Sequence, residues 1–430
     1  MNKSMQARHI FHNHPLHYNT LLSLARPQPP PHPPLWRRPV ASMPPRKDSI
    51  PHETRTVAEP RQNKLYPVRL AHIEQINPTI RLLRLALPAE SLSDDETDDL
   101  PQEPFSFLPG QWLDVHVPGI QQAGGFTITS TPSDAHPLPT PDANATVIQE
   151  GSNNKVPSQH VEISADSNGR YPYVELAVQN SPSNPPAAWL WKPTKEILGR
   201  EVNVRVGGSF VWPPAATILP PTQINKVVLV AGGVGINPLI SILSHITELA
   251  STPCSPQHQQ EEKPPHTKPP TIHFLYTTRI PHAEKLLLDG KLSTPQASIT
   301  REALDEILFL SRLRRIVHRV SSCSKNNNMQ IKLDVFLTNI PPRDDSSPSV
   351  LAQATQSLNE DGGGGAESKN NIHVHGRRIS KQDLDGAVVG AAGGESTVCY
   401  VCGPPPMTDE FVGHLGSLIG SDRVLCEKWW

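Results

Sequence analysis

The residues with the clearest chemical potential in this chain are Gly232-Gly233-Val234-Gly235-Ile236-Asn237-Pro238, directly after the apolar run Lys226-Val227-Val228-Leu229-Val230. A diphosphate needs backbone amides at close range and the positive end of a helix. Gly232, Gly233 and Gly235 remove side chains where the turn must be tight and the phosphates must approach. Val234 and Ile236 supply amides between them, Asn237 stands where an N-cap belongs, and Pro238 suits a first helical position. The chemistry expected is capture of a nicotinamide dinucleotide, NAD or NADP. The third glycine of G-x-G-x-x-G is missing, so a tight strand-to-helix turn without a ligand is the plain alternative, and the rest of the chain has to decide.

A second cluster reads Cys399-Tyr400-Val401-Cys402-Gly403-Pro404-Pro405-Pro406-Met407. Cys399 and Cys402 have the spacing of a redox or zinc pair. On a strand, however, residues three apart point to opposite faces, and there is no second C-x-x-C to complete a zinc site. Cys402 falls at the carboxyl end of its strand, the edge that faces the ligand crevice in open α/β sheets. His373 and His375 share a face if extended, but they stand in a low-complexity stretch. His9, His12, His14 and His17 read as solvated. The chain carries no Gly-Lys-Ser/Thr phosphate loop, nucleophile elbow or paired-carboxylate motif.

Two kinds of element must position these groups. From Tyr66 short alternating strands follow one another: 67–73, 80–87, 109–117, 173–178 and 202–206. This pattern predicts a small antiparallel barrel. From Asn225 the strands become continuous apolar runs, at 226–230, 272–276, 331–337 and 398–402, as expected of a parallel sheet buried on both faces. Leu239, Ile242, Leu243, Ile246 and Leu249 have helical spacing, and further helices are expected near 282–289, 301–314 and from Thr408. The fold class predicted is a β-barrel plus a doubly wound α/β domain. The domains are placed at 1–62 (a basic, proline-rich leader and linker), 63–216 (the barrel, with inserts near 92–104 and 133–160) and 222–430 (the nucleotide-binding domain). Inserts near 251–270 and 341–396 are expected to be disordered surface loops.

Composition narrows the rest. The 430 residues carry a net charge of −2, so no basic excess points to nucleic acid. The 48 prolines are clustered, as in tails and inserts around folded parts. Five cysteines without a regular framework argue against a disulfide-stapled secreted domain. No apolar run approaches the roughly 18 to 20 residues that span a bilayer. The first 47 residues lack Asp and Glu but hold Lys3, Arg8, Arg26, Arg37, Arg38, Arg46 and Lys47. That balance fits a mitochondrial transit peptide, with a proline-rich tail as the alternative.

Three features in this order, Pro109-Gly110-Gln111-Trp112 in a barrel strand, Gly-Gly-Val-Gly-Ile-Asn-Pro and Cys-Gly-Pro-Pro-Pro-Met, resemble the ferredoxin–NADP reductase superfamily over residues 65 to 430. The ending Cys426-Glu427-Lys428-Trp429-Trp430 narrows the likeness to mitochondrial oxidoreductases with an NAD-binding domain. The resemblance implies a barrel that binds FAD or FMN and an α/β domain that binds NADH or NADPH. It implies hydride transfer from nicotinamide to flavin and electron delivery to an acceptor not named by the sequence, a separate protein since no iron–sulfur cysteine set is fused to the chain. By the same resemblance Gly232 to Asn237 hold the pyrophosphate, while Thr277, Thr278 and Arg279 face the adenosine ribose. Cys402 and Gly403 border the nicotinamide, and Glu427 with Trp429 closes the site over the flavin. Arg279 suits a 2′-phosphate, yet NADH against NADPH stays open. The family's flavin strand carries Arg-x-Tyr-Ser/Thr; here Gly124 stands for the Arg, Phe126 for the Tyr, and Thr127 for the Ser/Thr. The second flavin segment matches Ser183 to Leu190, where Pro185 and Pro186 lack N–H donors. Both departures open a rival reading: an NAD(P)-binding sensor or scaffold whose barrel holds no flavin.

Overall fold

Alternating apolar residues in the first half and unbroken apolar runs in the second give two sheets of opposite character. The computed structural model describes residues 50–88, 104–137, 171–251, 269–282, 299–327, 329–340, 350–360, 371–389 and 394–428. Strands β1 (Tyr66–Asn77), β2 (Ile80–Ala86), β3 (Trp112–His116), β4 (Gly124–Thr127), β5 (Tyr173–Gln179) and β6 (Glu201–Gly207) pair antiparallel in the order β4-β3-β6-β1-β2-β5. The sheet curls until its edge strands meet through the single bridge Ile128–Leu176. It is barrel-like without being closed. Leu83, Leu85, Leu113, Val115, Leu176 and Val204 pack in its interior, and α2 (Pro185–Leu190) and α3 (Thr194–Ile197) contribute Leu190 and Ile197 to the same cluster.

The second sheet is parallel throughout. It comprises β7 (Lys226–Gly232), β8 (Thr271–Thr278), β9 (Ile331–Leu337), β10 (Ile372–His375), β11 (Thr397–Gly403) and β12 (Val424–Lys428), in the order β10-β9-β8-β7-β11-β12. β7 is buried on both faces, as its sequence predicts. Val227, Leu229 and Ala231 pack with α4 (Ile236–Ser251) and α6 (Leu310–Asn327). Val228 and Val230 pack with α8 (Lys381–Val388) and α9 (Pro405–Ile419). On α4 the residues Leu239, Ile242, Leu243 and Ile246 are buried as their spacing requires, whereas Leu249 is 63% exposed and Ile240 is fully buried. The helix expected at 301–314 is two: α5 (Arg301–Asp305) and α6, with Phe309 between them at φ 60°.

The largest correction concerns 341–396. Within it lie α7 (Val350–Asn359), the strand β10 and the helix α8. Val350, Ala354 and Leu358 recur every fourth residue and are buried, as are Ile372 and Val374 in alternation. β10 is the sheet's edge, and α7 covers it with polar side chains. Asn359 Nδ2 donates to the Ile372 carbonyl at 2.7 Å and Asn359 Oδ1 accepts its N–H at 3.2 Å, while Thr355 Oγ1 accepts from Val374 N at 3.1 Å. The leader, the expected helix at 282–289 apart from its first residue, and most of the inserts near 92–104, 133–160 and 251–270 lie outside the described residues.

All described residues fall in one compact unit, Pro45–Trp430, and the two sheets share a core. Ile80, Leu82 and Ala177 of the barrel-like sheet cluster with Leu239, Leu243 and Leu310. Across the same junction Ser241 Oγ donates to the Ser130 carbonyl at 2.7 Å, Tyr400 Oη to that of Val211 at 2.8 Å, and Asn77 Nδ2 to that of Glu306 at 3.1 Å. Among the described residues no helix is long and apolar enough to cross a membrane.

Candidate nucleotide-binding site

The parallel sheet grows outward from β7 through β8, β9 and β10, then the chain returns to the other side of β7 for β11 and β12. The reversal falls at the carboxyl ends of β7 and β11, the place where ligands bind in open α/β sheets. Register brings five of the sequence-selected positions to this edge. Gly232 pairs with Thr277, Cys402 lies between Ala231 and Glu427, and Gly403 pairs with Lys428.

The glycines divide their labour. A Cβ on Gly235 would stand 2.2 Å from the Cys402 carbonyl oxygen, and one on Gly403 would stand 2.5 Å from Met407 Cε. These glycines let the turn after β7 pack against the end of β11. Gly232 is likewise closed over by Met407 and Pro404. Gly233 alone faces open space, with φ at 55° and no atom within 4 Å of its missing side chain. Gly233–Gly235 forms a 3-10 turn, and the Ile236 N–H points back to the Gly233 and Val234 carbonyls, so that amide is engaged within the protein. The helix α4 starts at Ile236. Asn237 is therefore inside the first turn and not the N-cap its type suggests. Its buried side chain donates from Nδ2 to the Ala177 carbonyl of β5 at 3.1 Å, while Oδ1 is buried without a partner among the described residues.

Cys402 is fully buried in the apolar cluster that holds Tyr400 and Ile236. Burial first, then the Glu427 carboxylate on the neighbouring strand, pushes its thiol well above the ordinary range. Cys399 packs in the cluster on the opposite face, and burial pushes its thiol up to about 12. The sheet thus separates the two thiols, and neither is a ready thiolate. Thr277 and Thr278 are half-buried and Arg279 is exposed beyond the end of β8. Glu427 is half-buried on β12, and Trp429 lies outside the described residues. The two inserted-region histidines sit on β10: His375 Nε2 is 3.0 Å from Asp334, and the described residues hold no cluster fit for a metal.

The barrel side departs from a flavin site at the phosphate end. A Cβ on Gly124 would meet Phe126 Cε2 at 2.6 Å and Pro186 Cβ at 2.7 Å, so an aromatic ring and a proline fill the position where the resemblance calls for an arginine. At the start of α2, Pro185 and Pro186 offer no N–H, and the Ala187 N–H is taken by Asn184 Oδ1 at 3.3 Å. These residues do not fit a flavin phosphate. Thr127 is buried opposite Trp112, and Phe126 is half-buried against the barrel core.

Sequence reasoning missed what lies on the outer face of β4. A Cβ on Gly125 would come within 2.1 Å of the His52 ring. His52, on the short helix α1 (His52–Arg55), meets Trp112 edge-on at 4.6 Å and lies 3.3 Å from the buried Asp114 carboxylate. Arg61 Nε at 2.9 Å and Arg205 Nη2 at 2.8 Å hold the same carboxylate. Burial alone would raise Asp114, but His52, Arg205 and Arg61 together bring it down to about 2. Two successive glycines in a strand were the available signal, because they mark a close approach by another segment.

A barrel-like antiparallel sheet is followed by a parallel sheet with a glycine turn at its reversal point. No protein-family model matches the chain. It is similar to the protein called oxidoreductase NAD-binding domain-containing protein 1, at 28% identity to that of Danio rerio over 380 residues, covering 88% of this chain and 97% of the relative. Against the Homo sapiens protein of that name the identity is 26% over 380 residues, covering 88% of this chain and 84% of the relative. Among solved structures it is similar to a ferredoxin NADP+ reductase from Neisseria gonorrhoeae with bound FAD and NADP, at TM-score 0.45 and 12% identity, covering 86% of this chain and 100% of that one. The cytochrome b5 reductase domain of Ulva prolifera nitrate reductase gives TM-score 0.42 and 11% identity, covering 85% and 97%.

Proposed function

We propose that this chain binds NADH or NADPH in the crevice at the carboxyl ends of β7 and β11 and works as an NAD(P)H-dependent oxidoreductase. The observation that carries the reading is the open side of Gly233, at the point where strand order reverses and α4 begins. Bound there, the dinucleotide supplies a hydride, and the chain's part is to hold and orient it. The open backbone at Gly233 faces the pyrophosphate, with Gly232, Val234, Gly235 and Ile236 shaping the turn around it; Thr277 and Arg279 take the adenosine ribose end, and Gly403 borders the nicotinamide. Cys402 acts as buried packing behind that ring. Glu427, beside Cys402 on the neighbouring strand, is the polar group on the far side. Calorimetric titration of the chain with NADH and NADPH tests the reading, with Arg279→Ala expected to weaken NADPH more than NADH. Absence of saturable heat with both nucleotides would sink it.

The resemblance would pass the hydride to a flavin in the barrel and then to a separate acceptor protein. Phe126 folded over Gly124, with Pro186 beside it, favours a second reading: a nucleotide-binding sensor or scaffold whose barrel holds no flavin. Cofactor extraction and a visible spectrum separate the two. A yellow protein that releases FAD or FMN excludes the second reading, and one that stays colourless after incubation with both flavins excludes the first route. The acid-free basic leader supports a mitochondrial address for either form, and import into isolated mitochondria with removal of the leader is the corresponding test.

A further inference from the structure

A second cavity, of about 480 Å³, opens where the two sheets meet. Thr129, Thr131 and Asp134 line it from the barrel side, and Glu248 of α4 with Arg315 and Arg319 of α6 line it from the other. Glu248 stands thirteen residues beyond Gly235, so the helical rise puts the cavity roughly 20 Å from the glycine turn. This is a different place from the crevice described above.

Formal charge around the cavity balances, but hydrogen bonding does not. Glu175 already accepts from Arg312 Nη2 at 2.6 Å and Thr129 Oγ1 at 3.0 Å. Asp134 accepts from Tyr173 Oη at 3.0 Å and Thr131 N at 3.0 Å. Glu248 accepts from Ser133 Oγ at 2.8 Å and Thr131 Oγ1 at 3.2 Å. Arg312 is committed to Glu175 and to the Thr129 carbonyl. Arg315 and Arg319 are exposed, one turn apart on α6, and have no hydrogen bond or ion pair among the described residues. The cavity's acids are engaged while two guanidinium forks remain open.

We propose that this junction cavity is a binding site for a small phosphorylated molecule, its phosphate held between Arg315 and Arg319. Guanidinium forks match phosphate oxygens in pairs, and the volume lies in the range of small-ligand pockets. The serine and threonine hydroxyls on the barrel wall face the remainder of the ligand. Because one wall comes from each sheet, a bound molecule ties the two halves together. The inference stands apart from the dinucleotide reading and shares no residue with it.

The test uses inorganic phosphate with the full chain at fixed ionic strength, since salt screens exposed arginines. Thermal melts should rise saturably with phosphate in the unaltered chain. In the double variant Arg315→Gln, Arg319→Gln the same rise should need at least tenfold more phosphate, with NADPH titration heats unchanged. Both side chains are exposed, so the variant should keep its circular dichroism spectrum. An unaltered phosphate response in the double variant, or no saturable response in the parent chain, overturns the proposal.

Discussion

Gly235 is the residue where the turn after β7 is least tolerant. Its missing Cβ would collide with the backbone of Cys402, which cannot swing aside as a side chain would. Gly235→Ala should therefore lower stability by about 1–3 kcal/mol, the ordinary cost of overpacking, read as a shift in denaturation midpoint. Gly233→Ala introduces no clash, and its penalty should come from the left-handed backbone alone. Thiol reactivity gives a second check at this scale. Burial raises the pKa of all three thiols, but Cys426 is exposed on β12 whereas Cys399 and Cys402 are buried. Alkylation of the native protein near neutral pH, mapped by mass spectrometry, should mark Cys426 and spare Cys399 and Cys402. Early labelling of Cys402 would show that its strand end is open to solvent after all.

At the scale of elements, the segment from His52 to Arg61 docks on β3, β4 and β6, with the Asp114 carboxylate meeting His52, Arg61 and Arg205 at once. That carboxylate is held near 2 in the folded chain against 3.8 for the free group. Its contribution is thus complete above pH 3.8 and is lost as pH falls through about 2. Asp114→Asn should cost on the order of 2 kcal/mol at neutral pH. Denaturation curves of the two proteins should converge as pH falls across that window. A gap that persisted into acid would mean that packing, not charge, docks the segment. The elements themselves were unevenly legible. Val227 to Val230 announced a buried strand because five consecutive residues from Val227 have no water-facing side. Val350, Ala354 and Leu358 carried the helical period of α7 equally well, but the glycine-rich stretch after them hid it. The four-residue strand β10 alternates, but four residues are too few to stand out as a strand within a polar stretch. His52 could not be foreseen, since its contact with Gly125 crosses more than seventy positions of sequence and leaves no periodic trace.

At the scale of the whole molecule, α4 links the features discussed above. Its first turn anchors to β5 through Asn237 and its middle to the Ser130 carbonyl through Ser241. The glycine turn was readable as a local motif, while the junction was not, because it depends on which barrel strand the helix meets. NADPH at a hundredfold excess over its dissociation constant should raise stability by about 2.7 kcal/mol, and a single cooperative melt should report both sheets moving together.

The rim of the parallel sheet carries a different kind of consequence. Asn359 and Thr355 occupy the backbone groups of Ile372 and Val374 that a neighbouring strand would otherwise seek. An unprotected rim of this kind is a template for strand recruitment from another copy. Replacing both residues by alanine should leave nucleotide affinity intact and shift sedimentation profiles toward oligomers with rising concentration. Those two side chains take up the rim's backbone groups at Ile372 and Val374 before a passing strand can.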